Sequence, residues 1–285
     1  MNRFDFAHHS TMTRYNDKQR IKEFYDVVSP YFRSLWGEHL HHGYWIRGDE
    51  TRERAQTQLI EHLVEAAGIG PGCKILDAGC GFGSSSIYLA KKYRAEATGI
   101  TISPIQVEMA NKAAAIENLN AKFLLMDAEA MVFDALFDVV WSVESISHYQ
   151  SKRDFFASAA KLLRPNGTMA IIDWFKGTNL PPVEHEKFIR PIEKGMLVEL
   201  QTMQDYEHYI SSSGLKIVKT ERMNENCGKS WDIGLNILKK RALWIHAARH
   251  GFEFVNFLKS FKAMRAGFAS GNFIYGLIVA KKVLA

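Results

Sequence analysis

The sequence predicts an α/β protein: one seven-stranded, mostly parallel sheet with helices on both faces. Three observations predict it. From residue 74 onward, short β-branched runs alternate with helical patterns, as βαβ units require. A glycine cluster, Gly79-Cys80-Gly81-Phe82-Gly83, joins the first such run to the first helical pattern. The chain has 285 residues, 47% hydrophobic and 24% charged. That suits one large domain and excludes a disordered or low-complexity chain.

The elements follow in order. Residues 1–19 are polar and read as a flexible N-terminus without a secretory leader. Ile21, Phe24, Tyr25, Val28 and Phe32 recur at helical spacing, and this helix is expected to stop near Ser29-Pro30 or just beyond. An aromatic and histidine segment, Leu35 to Trp45, has neither period. A second helix runs from Thr51 to Ala67 and ends at Gly68-Ile69-Gly70-Pro71-Gly72. Lys74 to Ala78 is strand one, Ser84 to Tyr93 its helix, and Ala95 to Thr101 strand two. Ser103-Pro104-Ile105-Gln106 is a helix start, with a serine cap, proline at the first turn and glutamine three residues after the cap. Lys122 to Met126 is strand three and Phe137 to Ser142 strand four. Ser151 opens a helix that ends at Arg164-Pro165-Asn166-Gly167. Thr168 to Trp174 is strand five, Gly214 to Thr220 strand six, and Phe273 to Lys281 the last strand. The helical stretches 176–213 and 225–270 are too long to be plain connections and read as binding elements.

Composition bounds the function. With 36 Lys+Arg against 31 Asp+Glu the net charge is +5, and the cations form no single tract, so nucleic acid is not expected. Cys73, Cys80 and Cys227 are an odd number without a C-x-x-C pair, which argues against a disulfide framework or zinc ribbon and for a reduced, cytoplasmic setting. The apolar run Phe273 to Ala280 is far short of the roughly 20 residues that span a bilayer. His39, His41 and His42 lack the i, i+4 spacing of a zinc-protease pair, so no metal is expected.

Asp77-Ala78-Gly79-Cys80-Gly81-Phe82-Gly83 follows strand one and opens a helix. Gly79 and Gly81 allow a tight turn and a close approach to a nucleotide-like ligand. A dinucleotide site would place an acid at the end of strand two, where this chain has Thr101. A nicotinamide-dependent oxidoreductase is therefore disfavoured, and a non-catalytic binding protein is a further alternative.

The pattern resembles motif I of the class I S-adenosylmethionine-dependent methyltransferases. Asp127-Ala128 past strand three, Phe137 to Ser142, and Leu162-Leu163-Arg164-Pro165-Asn166-Gly167-Thr168 match further motifs of that family, in order. Trp36-Gly37-Glu38-His39-Leu40-His41-His42-Gly43-Tyr44, Gly99 to Gln106, and Phe137 to Ser145 followed by His148 are similar to the γ-tocopherol methyltransferases and their sterol C-methyltransferase relatives. The resemblance spans residues 20–283 and departs most in 176–270. It implies a Rossmann-like methyltransferase domain: a helical cap at 20–67, a cofactor core at 70–175, and a helical substrate lid at 176–213 and 225–270.

It also implies a site. Asp77, Gly79, Gly81, Gly83, Thr101, Ile102, Gln106, Asp127, Ala128, Ser142 and Val143 would hold S-adenosyl-L-methionine, and Tyr25 would reach its methionine carboxylate. His148, past the carboxyl end of strand four, is the candidate base, and Glu144 on the same edge would orient it, take a proton or stabilise a developing cation. A loop histidine, a surface carboxylate and a core tyrosine are the structural alternatives. His39, His41, His42, Trp231 and Trp244 are the candidate substrate contacts. The aromatic-rich segment 225–270 implies a hydrophobic acceptor. Lys239, Lys240, Arg241, Arg249, Lys259, Lys262 and Arg265 offer either a solvated face or a partner for an anionic head group such as a diphosphate. The expected reaction is C-methylation of an isoprenoid or prenylated aromatic small molecule, as in specialised-metabolite biosynthesis. N- or O-methylation is the rival, and a homo-oligomer is compatible with the sequence.

Overall fold

The computed structural model describes residues 16–283. Most of the expected flexible N-terminus, residues 1–15, lies outside the described residues. Helix α1 (Lys18–Trp36) starts inside the segment assigned to that terminus, with Asp17 as its cap. Upstream of it Asn16 is buried and donates to the Tyr149 carbonyl at 3.1 Å. Pro30 does not end the helix, contrary to expectation. Proline removes one backbone hydrogen bond. Here Phe32, beyond it, packs on Phe257, and Trp36 is buried beside Phe32; this packing carries the helix on for six more residues.

Helix α2 (Arg52–Ala67) is capped by Thr51 and ends on Gly68 in the left-handed conformation. Then β1 (Lys74–Ala78), α3 (Ser84–Tyr93), β2 (Glu96–Thr101), α4 (Pro104–Ile116), β3 (Ala121–Leu125), β4 (Phe137–Val143), α5 (Lys152–Leu162) and β5 (Leu163–Lys176) alternate. Four residues, Arg164 to Gly167, loop out of β5: Phe137 pairs with Leu163, but Val139 pairs with Thr168. The expected turn is therefore a bulge within the strand, with Asn166 at φ +63° and Arg164 bonded to Asp138 at 2.8 Å.

The helices α6 (Pro182–Glu184), α7 (Arg190–Met196) and α8 (Met203–Ser212) precede β6 (Leu215–Arg222). The helices α9 (Asn224–Cys227), α10 (Lys229–Ile237), α11 (Arg241–His250) and α12 (Phe252–Ser270) precede β7 (Phe273–Lys282). The sheet order is β3-β2-β1-β4-β5-β7-β6, with β7 antiparallel to both neighbours and the other pairs parallel.

Successive strand residues point to opposite faces, so each central strand feeds two cores. Ile75, Val139, Ile172 and Leu277 join α1, α2, α7 and α10 to α12 on one side. Leu76, Val140, Ile171 and Ile278 join α5 and α8 on the other. No helix among the described residues is long and apolar enough to cross a membrane.

Candidate active site

β1 has β2 on one side and β4 on the other, so the chain order reverses there. A crevice opens beyond the carboxyl ends of the strands at such a reversal. A cavity of about 1440 Å³, counted to its solvent mouth, lies at this place, and α1 roofs it with Ile21, Phe24, Tyr25, Val28, Phe32 and Trp36.

The glycine loop forms its floor. Gly79 (φ +78°) and Gly81 (φ +53°) both line it in the left-handed region that favours glycine. A Cβ on Gly79 would overlap the Ser145 side chain, and one on Gly81 would press on Leu40. Asp77 is fully buried, lines the cavity and accepts one side-chain hydrogen bond, from Ser86 at 2.7 Å. Burial pushes its carboxyl up to about 7, against the Ser86 hydrogen bond.

The second wall is the end of β2. Thr101 donates to Gln106 Oε1 at 2.7 Å, and Gln106 Nε2 donates to Ser29 of α1 at 3.0 Å. Ser103 caps α4 through the Gln106 backbone, as expected, but the Gln106 side chain turns to α1 rather than back to the cap. Ile102 lies beside them, and Asp127 and Ala128 line the cavity from beyond β3. Lys18 bonds Asp127 at 2.6 Å and Glu129 at 2.9 Å.

The third wall follows β4. Val143 lines the cavity beside Glu144, which holds φ +52°. Three donors converge on Glu144 Oε1: the His42 backbone N–H and the His42 ring Nδ1, each at 2.7 Å, and the Tyr275 hydroxyl at 2.6 Å. Burial pushes the Glu144 carboxyl up, but His42 and these hydrogen bonds outweigh it and hold the group below its ordinary value. His148 is buried, with Nδ1 3.1 Å from the Leu197 carbonyl and Nε2 3.0 Å from the Tyr25 hydroxyl. Burial lowers its pKa to about 4.

The structure thus brings Tyr25, His41, His42, Asp77, Gly79, Gly81, Thr101, Ile102, Gln106, Asp127, Ala128, Val143, Glu144, His148 and Trp231 to one cavity. Four expected residues do not line it. Gly83 caps α3, where a side chain would collide with Phe123. Ser142 spends its hydroxyl on the Ala78 carbonyl within the sheet. His39 is buried beside His41 and Tyr88. Trp244 bonds the Leu238 carbonyl within the α10–α11 turn. The seven cations of 239–265 do not line the cavity either: six are exposed, and half-buried Arg265 pairs with Asp232. Lys18 is the one lysine or arginine among the described lining residues.

Sequence reasoning missed several lining groups. Lys18 looked like a frayed end. Ser145 and Tyr149, joined at 2.8 Å, fill the space beside Gly79. Tyr275, which does not itself line the cavity but bonds Glu144 from behind, sits inside an apolar strand pattern, and its reach depends on pairing between β5 and β7 that no local signal encodes. Trp174, Met196, Phe257 and Phe261 complete an apolar end.

Residues 12–270 match the mycolic acid cyclopropane synthetase family. The chain belongs to that family. It is an S-adenosylmethionine-dependent small-molecule methyltransferase. It is 31% identical over 289 residues to a probable chloroplastic tocopherol O-methyltransferase of Oryza sativa subsp. japonica, covering 93% of this chain and 78% of the relative. It is 33% identical over 211 residues to the 27-O-demethylrifamycin SV methyltransferase of Amycolatopsis mediterranei, covering 73% and 77%. The fold matches the geranyl diphosphate C-methyltransferase of Streptomyces coelicolor A3(2), crystallised with S-adenosyl-L-homocysteine, at TM-score 0.73 and 17% identity over 95% and 99% of the two chains.

The cavity fits the cofactor. Asp77 is a buried carboxylate short of donors, which a cationic amino group would supply. The bare backbone at Gly79 and Gly81 leaves room for close approach. The Thr101–Gln106 pair and Asp127 place hydroxyl, amide and carboxylate groups at the polar end.

Proposed function

We propose that this methyltransferase acts on a largely apolar, hydroxyl-bearing aromatic acceptor such as a prenylated phenol. The observation that carries the reading is a neutral, buried histidine bonded to a tyrosine hydroxyl in a cavity whose far end is aromatic. Aromatic and aliphatic lining supports an apolar acceptor. The absence of an unpaired lysine or arginine among the described lining residues speaks against a diphosphate head group.

S-adenosylmethionine supplies an activated methyl group. In this reading the chain's residues align the acceptor, exclude water and receive one proton. Asp77, Gly79, Gly81, Thr101, Gln106 and Asp127 hold the cofactor, and α1 closes over it. Ionising a phenol makes both its oxygen and its ring carbons nucleophilic, so one acceptor class serves O- and C-methylation. We favour the oxygen, as the proton-accepting pair suits a hydroxyl. C-methylation is the second reading, supported by Glu144, an ionised carboxylate in the cavity able to stabilise a cationic ring. Three unpaired cysteines support a reduced, cytoplasmic setting.

The test is titration with S-adenosylhomocysteine, then turnover with prenylated phenols and with a prenyl diphosphate, the methylated atom being read by NMR. Micromolar binding and turnover of the phenols support the reading; turnover of the diphosphate alone overturns it. His148→Ala is expected to lower turnover by about 100-fold with cofactor affinity nearly intact. Equal losses in both would make His148 structural.

A further inference from the structure

His148 was expected to face the acceptor as the base, and Tyr25 to hold the cofactor's carboxylate. The hydrogen bonds assign these groups differently. The Leu197 carbonyl, 3.1 Å from Nδ1, can only accept, so Nδ1 carries the ring proton. The neutral ring then leaves Nε2 as an acceptor, and the Tyr25 hydroxyl 3.0 Å away must be the donor. Both ring nitrogens are committed, and no free nitrogen of His148 is left for an acceptor.

The phenol has one proton and two lone pairs. Its proton points at His148, so it cannot also be donated to a carboxylate. Its oxygen remains able to accept from a donor in the cavity that Tyr25 lines. We propose that Tyr25 is the catalytic group that takes the acceptor's proton, and that His148 stands behind it as the proton store. The proposal rests on the methyl-transfer reading and deepens it.

The step balances. The acceptor oxygen bonds the methyl carbon with its lone pair, and the carbon–sulfur bond breaks with its electrons going to sulfur. The acceptor's proton passes to the Tyr25 oxygen as the phenol proton passes to His148 Nε2. The result is a neutral phenol and an imidazolium, still donating Nδ1–H to Leu197. The stored proton returns to solvent by the same phenol once the product has left. Burial favours quick return. Lys152, buried on the neighbouring helix, opposes a charged His148, whereas Glu144 favours it. Burial first, and then the charges of Glu144 and Asp173, oppose a lasting phenolate on Tyr25.

The experiment compares Tyr25→Phe, His148→Gln and the double variant. For each it measures S-adenosylhomocysteine affinity by calorimetry and kcat with a prenylated phenol. The His148 tautomer is read in wild type and Tyr25→Phe from imidazole ¹⁵N shifts, assigned by difference against His148→Gln. The expected results are an Nδ1–H tautomer, affinities within about twofold, and a kcat fall of about 100-fold in each single variant. The double variant should lose little more than either single one, since both cut the same path. A tenfold loss of affinity in Tyr25→Phe with kcat retained would return Tyr25 to cofactor binding and overturn the proposal. An Nε2–H tautomer, or fully multiplicative losses, would overturn it as well. If wild type bound S-adenosylhomocysteine but methylated no phenol, the acceptor reading would fail, while the tautomer would still decide the direction of the Tyr25–His148 bond.

Discussion

At the residue scale, the site depends on backbone conformations that side chains resist. Glu144 holds φ +52° and Leu197 φ +55°, and these residues supply the carboxylate and the carbonyl that fix His42 and His148. Non-glycine residues in that region cost free energy and persist where the surroundings over-determine them. For Glu144 the surroundings are visible as three donors on one carboxylate oxygen. Gly79 meets two constraints together, φ +78° and the overlap of any Cβ with Ser145. Gly79→Ala is therefore expected to weaken S-adenosylhomocysteine binding by at least about tenfold, with part recovered in Gly79→Ala/Ser145→Gly. The second change removes the collision but not the strain. Calorimetric titration of both variants checks this, and full recovery in the double variant would show that sterics alone require the glycine.

At the element scale, α1 is the roof, and besides the Tyr25–His148 bond, polar bonds fasten it at three further points of the crevice. Lys18 reaches Asp127 and Glu129, Asp26 accepts from Ser103 at 2.5 Å, and Ser29 accepts from Gln106. Ser103 and Gln106 also start α4, so the roof is tied to the turn that ends β2. Asp26→Ala and Ser29→Ala should each loosen α1 by about 1 kcal/mol. Hydrogen exchange in residues 18–36 should rise several-fold in these variants while exchange in β1 and β4 stays constant; a uniform rise would mean that α1 unfolds only with the whole domain. The helix itself was legible from Ile21, Phe24, Val28 and Phe32. Its continuation through Pro30 was not, because the packing of Phe32 against Phe257 of α12 is a tertiary contact. Apart from the start of β5, observed at Leu163 rather than Thr168, the strand ends were legible to within about two residues because each strand carries an apolar run between turn signals. The bulge at Arg164 to Gly167 read as a turn because its residues are turn formers; only pairing across β4 makes it part of a strand. Likewise the glycine loop announced the cavity, whereas Lys18 entered it through helix packing and Tyr275 reached Glu144 behind it through strand register.

At the scale of the whole molecule, burial sets two groups of titrations against each other. His39 is lowered to about 3 and His148 to about 4, both chiefly by burial. Each folded value lies below the unfolded one near 6.5, so the unfolded chain binds more protons between them. Stability from these histidines is present above pH 6.5 and is lost as pH falls toward 3 to 4. Asp77 and Asp173 are raised, to about 7 and about 6, again chiefly by burial. Their folded values lie above the unfolded one, so their contribution has the opposite sign: full below pH 4 and lost as pH rises through 6 to 7. The two effects overlap between pH 4 and 6.5, and the wild-type stability curve there should be flatter than the histidines alone would make it. Removing one histidine unbalances it. His39 is suited to the test because it does not line the cavity, its Nδ1 has no partner among the described residues, and its ring packs beside Tyr88. His39→Phe keeps that ring and abolishes the titration, so stability at pH 7 should change little. Between pH 6.5 and 4.5 the wild type should lose about 2 kcal/mol relative to the variant, since the unfolded ring is already half protonated at pH 6.5 while the folded ring stays neutral. Urea unfolding of both proteins at half-unit pH steps measures the difference directly. A difference independent of pH would mean that folded His39 takes up its proton at the same pH as the unfolded chain, so that burial does not hold the ring neutral.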